Sequence, residues 1–429
     1  MDQKTRIRDR STGDWLAVDF GTSNSAAAFQ EDGCIRRVQL EKDSETIPSA
    51  VFFSFERPEM DVGFAANTAL IDGIEGRYMR SLKRILGTSL MSESRTIVGR
   101  KRDFYDIISD FLKVIKDRSE SRSGRHFQRV IAGRPVFFDN DDPEKNARAK
   151  SDLERCYKMA GFREVIFLNE PEAAALSVAE DIDVGGIGVV VDIGGGTSDF
   201  SVFRKAENRI EVIASNGLRL GGTDFDRAIN LEFIMPCMGY GQPIRMVMST
   251  GIVSAPNFVF ADLATWEKIP FLYNQQIRTL VRGLIRDAVE PALFERLSHV
   301  IEWQLGHQIA FLAERTKIES NEVKGNSAID LSLFEPGLKI GVESEKLAVV
   351  FRTFTDKLIS TLCETFALAE IEVEALGYVV PVGGTSIMRP IQEAVARVLP
   401  KAAVVDSPVF TAIVDGLARH GSQLTTLGE

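Results

Sequence analysis

Near its start the chain alternates apolar and polar residues in short runs, then shifts to helical spacing. Trp15–Asp19 and Ser25–Phe29 read as strands, Gln30-Glu31-Asp32-Gly33 as a turn and Cys34–Leu40 as a third strand. Pro48–Phe55 adds a further β-branched and aromatic run. The same order returns later, with strands over Gly188–Asp192 and Asp199–Arg204, a turn at Lys205–Asn208 and a strand over Arg209–Ser215. A three-strand meander used twice points to two related halves. Between the copies, Asp103–Asp117 places Phe104, Ile107, Ile108, Phe111, Leu112 and Ile115 on one helical stripe. Asp142-Pro143 has the composition of a cap and first turn, opening a helix that runs to Ala160 and stops at Gly161. Glu164–Leu168 reads as a buried strand leading into Asn169-Glu170-Pro171 and an Ala-rich helix. Residues 236–275 have poor periodicity and read as an irregular insertion. Helices over Ile277–Leu297 and about Val300–Ser320 follow, then strand Leu376–Val380, helix Pro390–Leu399 and a final helical stretch, Phe410–Arg419.

What interrupts each meander is more informative than the meander itself. The first strand of one copy ends in Asp19 and turns through Gly21-Thr22-Ser23; that of the other ends in Asp192 and turns through Gly194-Gly195-Gly196-Thr197-Ser198. Glycines let backbone N–H groups approach an anion, hydroxyls add donors, and a carboxylate can organise a hydrated cation. Alone, the first turn reads more readily as a plain hairpin, whereas the three adjacent glycines of the second favour a close-approaching ligand over a wide flexible turn. Gly383-Gly384, between a strand and a helix N-terminus, suits the ribose and phosphate side of a nucleotide, with a simple strand-to-helix turn as the alternative.

At 429 residues the chain has room for two or three domains, and 44% apolar with 26% charged residues is ordinary for a globular protein. The net charge of -10 argues against a nucleic-acid binder. Cys34, Cys156, Cys237 and Cys363 are widely spaced and there are only four histidines, which disfavours a disulfide framework or a zinc site. No apolar run spans a membrane, and Met1 to Asp14 has no hydrophobic signal core, so the expectation is a cytoplasmic protein without membrane partners.

Taken in order, Asp19-Phe20-Gly21-Thr22-Ser23, Asn169-Glu170-Pro171-Glu172-Ala173-Ala174-Ala175, Asp192-Ile193-Gly194-Gly195-Gly196-Thr197-Ser198-Asp199, Leu220-Gly221-Gly222-Thr223-Asp224-Phe225-Asp226 and Gly383-Gly384 resemble the ATPase part of the seventy-kilodalton heat-shock chaperones. That family lies within the actin and sugar-kinase superfamily. Met79 to Gly87 and the segment Arg134-Pro135-Val136-Phe137-Phe138-Asp139 resemble its Lys-Arg and proline-switch loops. The resemblance implies an α/β, actin-like ATPase fold: two duplicated lobes, each on a five-stranded mixed sheet of ribonuclease H-like type, around a nucleotide cleft. It places lobe one at 1–184, lobe two at 185–400, and a C-terminal helix returning to lobe one at 401–429. The implied cofactors are ATP/ADP, Mg²⁺ and K⁺. Asp19 and Asp192 would hold the waters of Mg²⁺; Thr22, Ser23, Gly195, Gly196 and Thr197 would donate to the phosphates, with Gly21 and Gly194 shaping the turns. Lys83 would offset charge in the transition state, and Glu170 and Asp199 would orient or activate the attacking water, with Asp199 the favoured proton acceptor and Thr197 beside it. Gly221, Gly222, Glu314, Lys317, Gly383, Gly384, Thr385 and Ile387 would border the nucleoside. Without the resemblance, Lys83 with Arg80 and Arg84 reads as a solvated basic face, Glu170 as a helix-start carboxylate, Asp199 as a turn residue and Pro135 as a strand-end proline.

Departures from the family are equally specific. Ile318 and Ile387 stand where two arginines sandwich the adenine, and the loss of two such stacks, each about 1–2 kcal/mol, predicts nucleotide affinity in the micromolar range or weaker. Arg389 is placed to substitute in part. Asn24 replaces a common Tyr, which puts the K⁺ contact in question. The chain ends soon after the final helix, without the family's linker and peptide-gripping β-sandwich, and so looks most like the short YegD-like branch. The expected function is slow Mg-ATP hydrolysis by a monomer, with an unidentified protein partner or client, a partner docking at the insertion around 236–275. The alternatives are a small-molecule (sugar or acid) kinase, an actin-like filament former and a nucleotide sensor.

Overall fold

In the computed structural model, residues 14–427 are described, apart from 58, 98, 140–141, 208, 247–250 and 323–326. Two mixed sheets dominate. In the first, Trp15–Phe20 is central: Arg129–Arg134 and then Glu164–Asn169 run parallel on one side, Asn24–Glu31 and Cys34–Arg37 antiparallel on the other. A short sixth strand, Thr46–Pro48, also pairs with Asn24–Glu31. The second sheet repeats the plan around Ile187–Ile193, with Ser198–Lys205 and Ile210–Leu218 antiparallel, and Tyr378–Val382 and Ala403–Val404 parallel. The meander read twice in the sequence is therefore half of a duplicated sheet. Strand order and direction match position by position, as an actin-like ATPase fold requires.

Helices cover the sheets where the spacing demanded them. Phe104–Ser123 starts at a capping box between Asp103 and Asp106 and ends at Gly124, whose left-handed φ of 68° an L side chain would resist. Pro143–Met159 opens with the Asp142 side chain accepting from the Lys145 N–H. The expected single helix Ile277–Leu297 is instead two, Gln275–Asp287 and Pro291–Glu302. Pro291 cannot donate to a preceding turn, so it begins a new helix rather than continuing the old one. The second expected helix runs over Gly306–Glu322, and Gly325, placed beyond its end, lies outside the described residues. Ser344–Ala369, the longest helix, is an addition to the expected set; it buries Leu347, Phe351, Leu358, Leu362 and Phe366 under the second sheet. Pro48–Phe55 contributes Ala50–Ser54 to a separate three-stranded sheet with Met60–Val62 and Gly76–Arg80.

The contacts that join the halves include two apolar clusters. At the base of the cleft, where helix Glu170–Ser177 crosses Ala412–Leu427, Ala17, Ala26, Ala173 and Ala174 of the first half share one core with Val190, Phe203, Val380 and Val382 of the second. At the cleft mouth, Trp266 and Ile269 from the expected insertion and Ala310 from Gly306–Glu322 pack with Ala50, Phe52, Ala66, Leu70 and Tyr78 of the first half. Within 236–275 the described residues form short elements: the hairpin Pro243–Arg245 with Ile252–Ser254, helix Phe258–Leu263 and the turn of 3₁₀ helix Ile269–Leu272. Among the described residues no helix is long and apolar enough to cross a membrane. All four cysteines are free.

Candidate functional site

The two glycine turns face each other across a cleft of about 310 Å³. Its wall gathers Asp19, Gly21, Thr22, Ser23, Lys83 and Glu170 from the first half and Asp192, Gly194, Gly195, Thr197 and Gly222 from the second. Glu314, Lys317, Gly383, Gly384, Thr385 and Ile387 border its other end. Three candidates lie off the wall. Gly196 borders an adjoining small pocket with Thr22 and Lys83. Gly221 lies beneath the second turn, where an added Cβ would come 2.6 Å from the Gly196 nitrogen. Asp199 is 1% exposed and accepts a 2.7 Å hydrogen bond from the Val136 N–H, so the proline-containing segment Arg134–Asp139 touches it directly.

Close approach explains the glycines. A Cβ on Gly195 would fall 2.2 Å from Ser23 Oγ, and one on Gly196 would fall 2.8 Å from Thr22 Oγ1. Each turn is thus the other's neighbour, with backbone N–H groups and hydroxyls converging from both sides. The duplication is chemically unequal. Asp19 pairs across its sheet with Ala26, whereas the equivalent Asp192 pairs with Asp199, so only the second copy carries an extra carboxylate there.

Lys83 gets into this space by a backbone turn. Strand Gly76–Arg80 ends at Ser81, a fully buried residue at φ 61°, a left-handed conformation that is uncommon outside glycine, and the chain then folds into the short helix Leu82–Ile85. Lys83 Nζ consequently donates to Glu170 Oε1 at 2.5 Å, with both side chains buried. Neither flanking arginine makes a solvated face. Arg80 forms two hydrogen bonds to Glu314, at 2.7 and 2.8 Å, with its guanidinium over the Trp266 ring. Arg84 reaches Thr223, Asp224 and Glu267.

Electrostatically the centre is overloaded with carboxylates. Burial, then the nearby Glu170 charge, pushes Asp19 up to about 7, against the pull of Lys83. Burial and Glu170 likewise raise Asp199 to about 7, although the Val136 N–H works the other way. Asp192 is raised well above the carboxylate range by burial, Glu170, Asp199 and Asp19. Burial would depress the Lys83 ammonium, but Glu170, Asp19 and Asp192 more than compensate and hold it above the usual lysine value. Buried carboxylates that outnumber their one ammonium resist ionising together, and an added cation would relieve them. Among the described residues no cluster of three or more His, Cys, Asp or Glu stands close enough to chelate a metal directly. Asp19 and Asp192 line the cleft from opposite halves, where such carboxylates would suit a hydrated cation.

At the other end, Lys317 pairs with Asp226 at 2.7 Å and donates to the Gly222 carbonyl at 3.2 Å. Burial raises Asp226 to about 6 against the lowering effect of Lys317. Val409, Phe410 and Ile413 also line the cleft, and the sequence motifs did not point to them. Their signal is weak because Val409 and Phe410 lie on the turn into the last helix and Ile413 in its first turn, where the Gly383 N–H bond to the Val409 carbonyl ties them to the glycine pair.

Comparison with known proteins shows the family. The family model for the Hsp70 protein matches residues 15–238, more than half of the chain and both glycine turns. A chaperone protein HscA homolog of Vibrio vulnificus (strain YJ016) is 29% identical over 301 residues, covering 65% of this chain and 45% of the relative. The HscA homolog of Pseudomonas fluorescens is 28% identical over 302 residues, covering 66% and 47% respectively. The chaperone protein DnaK of Ureaplasma urealyticum is 32% identical over 216 residues, covering 50% and 34%. The chain spans less than half the length of these relatives. It belongs to the Hsp70 family, a family of ATP-binding chaperones.

Proposed function

We propose that the chain binds Mg-ATP between its halves, hydrolyses it slowly, and uses closure of the cleft as a switch read by a protein partner or client. The buried Lys83–Glu170 pair, held among Asp19, Asp192 and Asp199 where the two glycine turns meet, carries this reading. The donor set fits the ligand: facing N–H and hydroxyl groups for a polyphosphate, unneutralised carboxylates for a hydrated cation. Bound Mg-ATP supplies an activated terminal phosphoryl group with its charge partly neutralised. Asp19 and Asp192 would hold the waters of the cation, while Thr22, Ser23, Gly195, Gly196 and Thr197 would donate to the phosphates. Lys83 stabilises charge that grows on the transferring group. Glu170, on the wall, orients the attacking water, and Asp199, which can accept a proton near neutral pH, takes its proton. Within the family we place the chain nearest the short YegD-like branch, on the strength of Ile318 and Ile387. We expect a monomer in a reducing cytoplasmic setting.

Nucleotide binding and phosphate release, measured with and without an unfolded client protein, test this. In Lys83→Ala and in Asp199→Asn, hydrolysis should fall about 10²–10³-fold while Mg-ATP still binds. Parent rates in both variants would overturn the assignment of roles.

A further inference from the structure

The base end of the cleft is apolar in a way the phosphate end is not. Ile318, on helix Gly306–Glu322, is 52% exposed; Ile387, after the glycine pair, is 39% exposed; Phe410, on the turn into the last helix, is 55% exposed. Three large apolar side chains from three elements therefore present open surface to one space. The turn bearing Phe410 is fixed: the Gly383 N–H donates to the Val409 carbonyl at 2.9 Å, and a Cβ on Gly384 would lie 2.8 Å from the Phe410 ring. Gly384 thus leaves room for that ring beside the glycine pair.

Several polar groups around these side chains are engaged by the protein. Glu314 is held by Arg80 and Lys317 by Asp226. The Asn321 amide donates to the Ile387 carbonyl and accepts from the Arg389 N–H. Thr385 Oγ1 donates to the Gly194 carbonyl, and Ser386 Oγ to the Gly383 carbonyl. Among the described residues, these polar side chains bond within the protein, while the apolar faces stay open.

Resting on the nucleotide reading above, we propose that this chain holds the base of a nucleoside triphosphate by apolar contact, with Phe410 the principal face, and discriminates little between purine bases. Every base has a π-face that an aromatic ring can stack on, so such contact is tolerant of base identity. Strong discrimination needs a site built to hydrogen-bond the distinguishing groups, and an apolar pocket cannot strongly reject an analogue that differs only in polar substituents. Ile318 and Ile387 then flank the base rather than merely marking two missing arginines.

The test is a set of equilibrium titrations of the full chain with the Mg²⁺ complexes of ATP, GTP, ITP and inorganic tripolyphosphate, repeated on Phe410→Ala and Phe410→Leu. Because Phe410 is half exposed, both variants should fold, and their melting curves report whether they do. ATP, GTP and ITP should bind within about tenfold of one another, all more tightly than tripolyphosphate. Phe410→Ala should weaken all three by about 5- to 10-fold without changing tripolyphosphate binding, and Phe410→Leu should weaken them less. ATP preferred over GTP by more than about a hundredfold, or an unchanged ATP affinity in Phe410→Ala, overturns the base site while leaving the phosphate reading intact. Tripolyphosphate binding as tightly as ATP does the same. Binding of none of the four overturns the nucleotide reading and this inference with it.

Discussion

Glu170, Asp192 and Asp199 are buried and Asp19 half-buried around Lys83, and without a cation their repulsion works against the folded state. Asp19→Asn removes one charge from that crowd at little change in shape. The ligand-free variant should therefore be more stable than the parent at pH 7.5, by about 1–2 kcal/mol, while its Mg²⁺-dependent ATP binding weakens at least about tenfold. Denaturant titration and calorimetry read the two effects, and a less stable variant would contradict the charge argument. The same residues show what sequence can and cannot convey. Asp19, Asp192 and the glycines announce themselves because their spacing repeats along the chain. Lys83 among two arginines is indistinguishable from a solvated face until Ser81 adopts its left-handed turn and carries the lysine inward. Phe410 is invisible in a motif search, since its position depends on how one turn packs against another.

Helices make the contacts on which closure depends, and here single backbone positions decide. An added Cβ at Gly416 would lie 1.6 Å from the Ala173 carbonyl oxygen, where the two helices cross. Gly416→Ala should cost about 3 kcal/mol, because backbone on both sides leaves nothing soft to yield. Gly283→Ala, with nothing within 4 Å of the new atom, should instead stabilise by about 0.5–1 kcal/mol. Equal effects in a thermal melt would contradict the crossing as described. His307 lies in the cleft-mouth cluster, its ring 4.8 Å from that of Tyr78. Burial, and secondarily Arg80, lowers it to about 3, against a hydrogen bond to the Trp266 backbone. A depressed histidine pKa gives stability that is fully present above about 6.5 and is lost as pH falls towards 3. Going from pH 7 to pH 5 should thus cost about 2 kcal/mol through this group, and His307→Leu should flatten that slope; an unchanged slope counts against it. Most helices were legible because caps and apolar stripes mark them. The break at Pro291 is legible too, once Pro is given priority over periodicity. The strand Tyr378–Val382 extends through Pro381, which the sequence places at its end, because the parallel register carries the strand on to Val382.

On the scale of the whole molecule, the duplicated sheets supply two jaws, and the segment expected to be an irregular insertion supplies part of what holds them together. Trp266 is 1% exposed and bridges the halves whose closure we propose as the switch. Arg80 joins the same contact by stacking on Trp266 while bonding to Glu314 across the cleft. Trp266→Ala should loosen this mouth and speed nucleotide release by at least about tenfold, with a loss of about 3 kcal/mol in stability. Stopped-flow release of a fluorescent nucleotide analogue reads the rate, and a rate equal to the parent's would show that opening does not break this contact. Periodicity could locate the segment but not its docking, which depends on aromatic partners some two hundred residues earlier in the chain. The division at 184/185 and 400/401 remains the reading we propose, with the small-residue crossing as its pivot. The central claim is that both jaws grip one nucleotide through magnesium. A calorimetric titration of the full chain with ATP, with and without Mg²⁺, tests it most directly. Saturable one-to-one binding in the micromolar range that depends on Mg²⁺ is the predicted result. No binding, or binding indifferent to Mg²⁺ and to Asp192→Asn, would contradict it.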